Sequence, residues 1–148
     1  MLDEMYGGDA VGTLGIRDSK KPTHDQRRKI YAALLMYARI GVASIDNTFI
    51  DENGIQAAEA EGAYQAIQKL IPPFPKMMVM DGTAATWSFD KFPSMVRYMI
   101  KGDQHVPAIA AASIVAKYIR AAHAALGEEA DHVEVVRYIE QLVGEEIK

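Results

Sequence analysis

Apolar positions along this chain change their period several times, and each change marks an element. Residues 1–22 are glycine-rich and almost aperiodic, which predicts loop with one short strand around Gly12–Ile16. Thr23-His-Asp-Gln26 then forms a capping box, in which the threonine oxygen takes the amide three residues on and the glutamine reaches back. The helix it opens carries Ile30, Leu34, Tyr37 and Ala38 on one stripe. Arg39 to Ile45 is a β-branched run and predicts a strand. Asn53-Gly opens an alanine-rich helix in which Ile55, Ala58, Tyr64, Ile67 and Leu70 keep roughly helical spacing, and Pro72-Pro73 closes it. Lys76-Met-Met-Val-Met80 predicts a strand running into Asp81-Gly82, and Ser94 to Ile100 predicts another. A turn at Lys101-Gly-Asp103 leads to a helix dense in alanine that begins at Pro107 and ends at Gly127. A last amphipathic helix runs from Asp131, with Glu134 completing a capping pattern. Strands alternating with helices predict an α/β domain with a mixed or parallel sheet.

Composition narrows this picture. With 148 residues, 49% hydrophobic and 24% charged, the chain predicts one globular domain able to bury its own core. There is no cysteine, which removes disulfides and thiolate metal sites from consideration. No apolar run approaches the roughly 20 residues that span a bilayer, and the N-terminus lacks the basic-then-apolar pattern of a signal peptide. The expectation is a soluble cytoplasmic protein with no membrane association.

Charge adds a local feature. A net charge of −4 argues against a general nucleic-acid coat. Between Arg17 and Lys29, however, six cations (Arg17, Lys20, Lys21, Arg27, Arg28, Lys29) face only Asp18 and Asp25. That run reads either as a phosphate-facing patch or as a solvated helix face. A short charge run of this kind is more often a solvated face, although the cations sit near the helix start, where the macrodipole disfavours them, and that small cost raises the weight of a ligand slightly.

Candidate chemistry follows from the same segments. Asp81 stands at the carboxyl end of an apolar strand, where α/β sheets place ligands, although Asp-Gly is also a common turn signal. Asp3-Glu4 is an acidic pair that needs a bend or a backbone carbonyl for both groups to reach one metal ion. Asp18-Ser-Lys-Lys21 places lysines beside a hydroxyl, a combination suited to phosphate. His105 and His123 have no spaced partner and read as structural or surface residues. Nothing matches a glycine-rich phosphate loop, a nucleophile elbow or a spaced histidine motif.

Three stretches together resemble the ribonuclease HII family. They are Gly15-Ile-Arg-Asp-Ser-Lys-Lys21, Val79-Met-Asp-Gly82 and, above all, Ile100-Lys-Gly-Asp-Gln-His-Val-Pro-Ala-Ile-Ala-Ala-Ala-Ser-Ile-Val-Ala-Lys117. Ile50 to Ile55 and the alanine helix also look like the family's middle section, so the resemblance covers residues 12 to 120. It implies an RNase H-like fold, a mixed sheet flanked by helices, with the N-terminal strands shortened or missing. On this reading residues 1–148 form a single domain, in which 1–22 is a truncated N-terminal part and 131–148 an unmatched C-terminal helix.

The resemblance also implies an activity: endonucleolytic hydrolysis of the RNA strand of an RNA–DNA hybrid, or of DNA containing ribonucleotides. Four carboxylates in the family hold two divalent ions, Mg²⁺ or Mn²⁺. Asp3, Glu4 and Asp81 match three of those carboxylates, as metal ligands and catalytic residues. Ser19, Lys20, Lys101, Lys117 and Arg120 fall at nucleic-acid-contacting positions.

The chain departs from the family's pattern in three places. The family opens with Asp-Glu-Ala-Gly-Arg-Gly, whereas this chain reads Asp3-Glu-Met-Tyr-Gly-Gly8, with Gly7 in place of the arginine. Only residues 9–17 then precede Asp18, too few for two strands of average length. Ala-Lys-x-x-Arg-Asp becomes Ala116-Lys-Tyr-Ile-Arg-Ala121, so Ala121 stands where the fourth ligand is expected. The family's late tyrosine has no clear counterpart, since Tyr138 lies on the unmatched helix. Two readings follow: a minimal nuclease that recruits another acid such as Asp103 or Glu128, or an impaired or inactive relative that acts as a binding or assembly partner. Sheet edges left by missing strands imply a partner or a second copy, a homodimer, to cover them.

Overall fold

Three helices bury one another's apolar stripes and form the main core. In the computed structural model, which describes residues 16, 22–70, 72–73, 76–83, 95–127, 130 and 132–146, these are α1 (His24–Tyr37), α5 (Pro107–Leu126) and α6 (His132–Glu146). Between α1 and α5 lie α2 (Asn47–Asn53), α3 (Ile55–Gln68), β1 (Met77–Asp81), β2 (Met95–Met99) and α4 (Gly102–His105). All three helix pairs among α1, α5 and α6 are in contact. Leu34 of α1, Ala110, Ala111, Ile114 and Tyr118 of α5, and Val135 and Ile139 of α6 close the core, and Ile16 joins it. Tyr118 is fully buried, with the rings of His24 and Tyr31 centred 5.5 and 5.4 Å from its own. Tilted aromatic pairs of this kind are worth about 0.5–1.5 kcal/mol each beyond their burial.

The start of α1 is built as its sequence predicts. The Thr23 hydroxyl accepts from the Gln26 amide at 3.3 Å, and the Gln26 side chain accepts from the Thr23 amide at 2.8 Å. Asp25 in the first turn pairs with Arg28 at 3.5 Å, which offsets part of the unfavourable placement of the cations. Tyr31, half-buried on this helix, has its phenol raised above the ordinary tyrosine value by burial and, secondarily, by the charge of Glu140 on α6.

Four expectations need correction. Arg39–Ile45 is not a strand: only Ile40 makes a bridge, and the segment lies against α3 instead. A strand exists only with a ladder neighbour, and here Gly41 is pressed so closely to α3 that a Cβ would overlap the Ala66 carbonyl oxygen. The following α2 is an addition, capped by Asp46, whose carboxylate accepts from the Phe49 amide at 2.7 Å. Tyr37 and Ile55 keep the expected helical spacing but are 46% and 59% exposed, because each sits at a helix terminus beyond the packed stripe. Finally, α5 is long and apolar enough, by length and composition alone, to cross a membrane. Eight of its side chains are buried within this fold, and Lys117 and Arg120 interrupt its later half.

The two strands pair in parallel, in the register Met77↔Met95 through Asp81↔Met99. Met78 is the buried residue of β1, while Met77 and Asp81 at its ends are exposed. Among the described residues the sheet is this parallel pair, packed on α4 and α5. The strand expected around Gly12–Ile16 falls outside the described residues except for Ile16.

Candidate active site

The last rung of the ladder positions the site. Asp81 pairs with Met99, and the Gly82 amide then donates to the Met99 carbonyl at 3.0 Å, extending the pairing one step beyond the strand. After Met99 the chain reverses through Ile100 and Lys101. Lys101 sits in the left-handed region (φ 55°), the only such non-glycine residue among those described. This reversal aims the Gly102 amide back at β1, where it donates to Asp81 Oδ1 at 2.8 Å. Among the described residues this is the hydrogen bond made to that carboxylate, and Asp81 is otherwise exposed.

A groove of about 320 Å³ runs up to Asp81. All five residues of β1 line it, with Ala63 and Ala66 of α3 on one side and Ala108, Ala112 and Ser113 of α5 on another. The alanines on α5 thus serve two surfaces. Ala110 and Ala111 face the three-helix core, whereas Ala108 and Ala112 let the helix approach the strand. Lys117 follows Ser113 by four residues, and Ala121 follows Lys117 by four, so the three share one side of the helix. At 1.5 Å per residue, Ala121 is about 12 Å along the axis from Ser113.

Of the residues expected from sequence, Asp81 and Lys101 are brought together on the same turn-and-strand junction. Lys117 is half-buried and Arg120 exposed, both on α5. Asp3, Glu4, Ser19, Lys20 and Glu128 lie outside the described residues. Asp103 is half-buried in the first turn of α4. Among the described residues no three His, Cys, Asp or Glu side chains cluster as a metal site. The carboxylate of Asp81 is nevertheless a hard oxygen donor at an exposed position, the ligand type that Mg²⁺ and Mn²⁺ take.

Sequence reasoning missed Gly102. Its role is carried by a backbone amide, which leaves no trace in side-chain chemistry. The available signal was the order Lys-Gly-Asp directly after a strand, since a glycine there marks a turn or a close approach. A Cβ at Gly102 would stand 2.5 Å from Ile109 Cδ1, so the glycine also lets α4 and α5 pack together.

The described elements form a helix-rich α/β fold with a small parallel two-strand sheet and a carboxylate at its carboxyl end, in keeping with an RNase H-like fold. The match to known proteins is more specific. The family model for ribonuclease HII matches residues 7–135. A protein named Ribonuclease HII from Chlamydia trachomatis serovar A is 41% identical over 111 residues, covering 72% of this chain and 48% of the relative. Others of the same name, from Bartonella quintana and Geobacillus kaustophilus, are 34% and 33% identical over 107 residues, covering 72% of this chain and 46% and 39% of theirs. The chain belongs to the ribonuclease HII family. It spans about half the length of these relatives.

Proposed function

We propose that this protein is a divalent-metal-dependent endoribonuclease that hydrolyses the RNA strand of RNA–DNA hybrids, including ribonucleotides embedded in DNA. The observation that carries the reading is Asp81, exposed at the end of β1 and fixed by the Gly102 amide, inside a chain matched to ribonuclease HII over residues 7–135. Asp81 would hold Mg²⁺ or Mn²⁺ together with Asp3 and Glu4. When bound, such ions supply an activated water and stabilise the leaving oxygen of an in-line displacement.

The chain's own residues orient the substrate. Lys101 stands next to the amide that holds Asp81, so a phosphate near the carboxylate meets a cation there. Lys117 and Arg120 extend positive charge along α5, and Ser19 and Lys20 belong to the same phosphate-contacting set. Within this reading residues 1–148 act as one domain in the cytoplasm, and a second copy covers the sheet edge.

The test is cleavage of a labelled hybrid by purified protein with Mg²⁺ or Mn²⁺, compared with Asp81→Ala. The expected outcome is metal-dependent cleavage that falls by a factor of about 10² or more in the variant. Cleavage equal in the two proteins, or none in either, would sink the proposal.

One observation favours a second reading, that of an impaired or inactive relative serving as a binding or assembly partner. On α5 the family order Lys-x-x-Arg-Asp ends in Ala121, a half-buried alanine without metal-binding chemistry. Tight binding of a hybrid with no cleavage, and no rise in melting temperature with Mn²⁺, would support it.

A further inference from the structure

We infer that Lys101 and Gly102 form a positioning device for Asp81, in which the backbone of the turn, rather than the lysine charge, sets the metal-facing oxygen. The inference rests on the reading of Asp81 as a metal ligand. Its basis is geometric. A carboxylate at a strand end can rotate about two side-chain bonds, and exposure leaves those rotations unopposed. Here one oxygen, Oδ1, accepts from Gly102 at 2.8 Å, across 21 residues of sequence. With Oδ1 held, the remaining oxygen is presented in one direction. Partners of this kind, which hold a ligand without touching the metal, orient it and tune its affinity.

Two features keep the amide aimed. Lys101 must stay left-handed for Gly102 to turn back towards β1, a conformation that glycine and asparagine adopt readily and β-branched residues resist. Gly102 also packs against Ile109: a Cβ there stands 2.5 Å from Ile109 Cδ1 and 3.5 Å from Met99 Cβ, so a side chain must displace either Ile109 or the turn that carries the amide. Ile109 is 7% exposed and lines the groove beside β1. The turn is therefore wedged between the end of β2 and the first turns of α5.

Two measurements on the full chain test this. The first needs no metal: hydrogen exchange of the Gly102 amide, in the native protein and in Asp81→Ala. Protection that falls about tenfold or more in the variant supports the clamp, and protection unchanged by loss of the carboxylate overturns it. The second is Mn²⁺ affinity without nucleic acid, for the native chain, Lys101→Gly, Lys101→Val, Gly102→Ala and Gly102→Ala/Ile109→Val. Lys101→Gly should bind no more weakly than the native chain, while Lys101→Val and Gly102→Ala should lose about tenfold or more. Removing Cδ1 with Ile109→Val should recover most of the loss in Gly102→Ala, a rescue that general destabilisation does not produce. Equal weakening in Lys101→Gly and Lys101→Val would assign the effect to charge and overturn the inference. Equal affinity in every folded variant would do the same. If Gly102→Ala does not fold, the two Lys101 variants decide. Failure of the native chain to bind Mn²⁺ would refute the reading of Asp81 as a ligand, and amide exchange would still decide the clamp.

Discussion

Gly41 shows how a single position can redirect a whole segment. Its sequence context, Arg39-Ile-Gly-Val-Ala-Ser-Ile45, has the β-branched content of a strand, yet it makes a bridge at Ile40 alone and otherwise runs against α3. The missing side chain is what permits it, since any Cβ would meet the Ala66 carbonyl oxygen, and Leu70 Cγ stands 3.3 Å from the same point. Carbonyl backbone in a helix cannot yield as a side chain can. Gly41→Ala is therefore expected to destabilise the protein by about 3 kcal/mol or more, read from urea unfolding. A loss below about 1 kcal/mol would show that the segment can move off α3 at little cost. Ala43 provides a comparison on the same segment, where Ala43→Gly should cost only a fraction of that.

At the scale of elements, α5 carries both the core and the site. One side supplies Ile114 and Tyr118 to the three-helix core, and another approaches β1 through Ala108 and Ala112. Further along, Ala121 occupies the position at which a fourth carboxylate is expected from the family resemblance. Ala121→Asp is expected to raise Mn²⁺-dependent cleavage of a hybrid by about tenfold or more, taking the cost of losing a metal-site partner as a guide. No gain, in a protein that still folds, would favour the non-catalytic reading.

The same helix shows what could be read in advance. Its bounds, its proline start and its glycine end were legible because Pro at N1 and Gly after the last turn are local backbone requirements. The Thr23 capping box was legible for the same reason, and both strands were legible as short apolar runs running into turn signals. Residues 39–45 misled because strand identity depends on a neighbour, which no local pattern encodes. Helix α2 was missed because its seven residues are too few to show a period. In the site, Asp81 was visible as a carboxylate at a strand end. Its anchor was not, since the contact joins residues 21 positions apart through a backbone amide.

At the scale of the whole molecule, two tyrosines, Tyr31 on α1 and Tyr98 on β2, are raised above the ordinary phenol value, chiefly by burial, and both act on stability at alkaline pH. Burial and Glu140 raise the Tyr31 phenol above its ordinary value of 10.0, so the folded state keeps a proton that the unfolded chain gives up. Above about pH 10 the unfolded state therefore binds fewer protons, and stability falls as pH rises; below that range both states are protonated and the group contributes nothing to the slope. Tyr31→Phe is expected to shrink the loss of stability between pH 9 and pH 11 relative to the native chain (~ values set by the ordinary phenol range), measured by urea unfolding at each pH. An identical loss in both proteins would place the alkaline sensitivity elsewhere.

The register of the two strands has a further consequence, for how this protein can vary. Side chains on a strand alternate between faces, so a one-residue slip turns every one of them over. The pairing of Asp81 with Met99 is thus also what brings a carboxylate, and not the Met80 thioether, opposite the Gly102 amide. A residue gained between Met77 and Asp81 would bring the Met80 thioether to that place, and a residue lost would bring Gly82, so either removes the acid from the centre of the site. The count along β1 is thus fixed by chemistry.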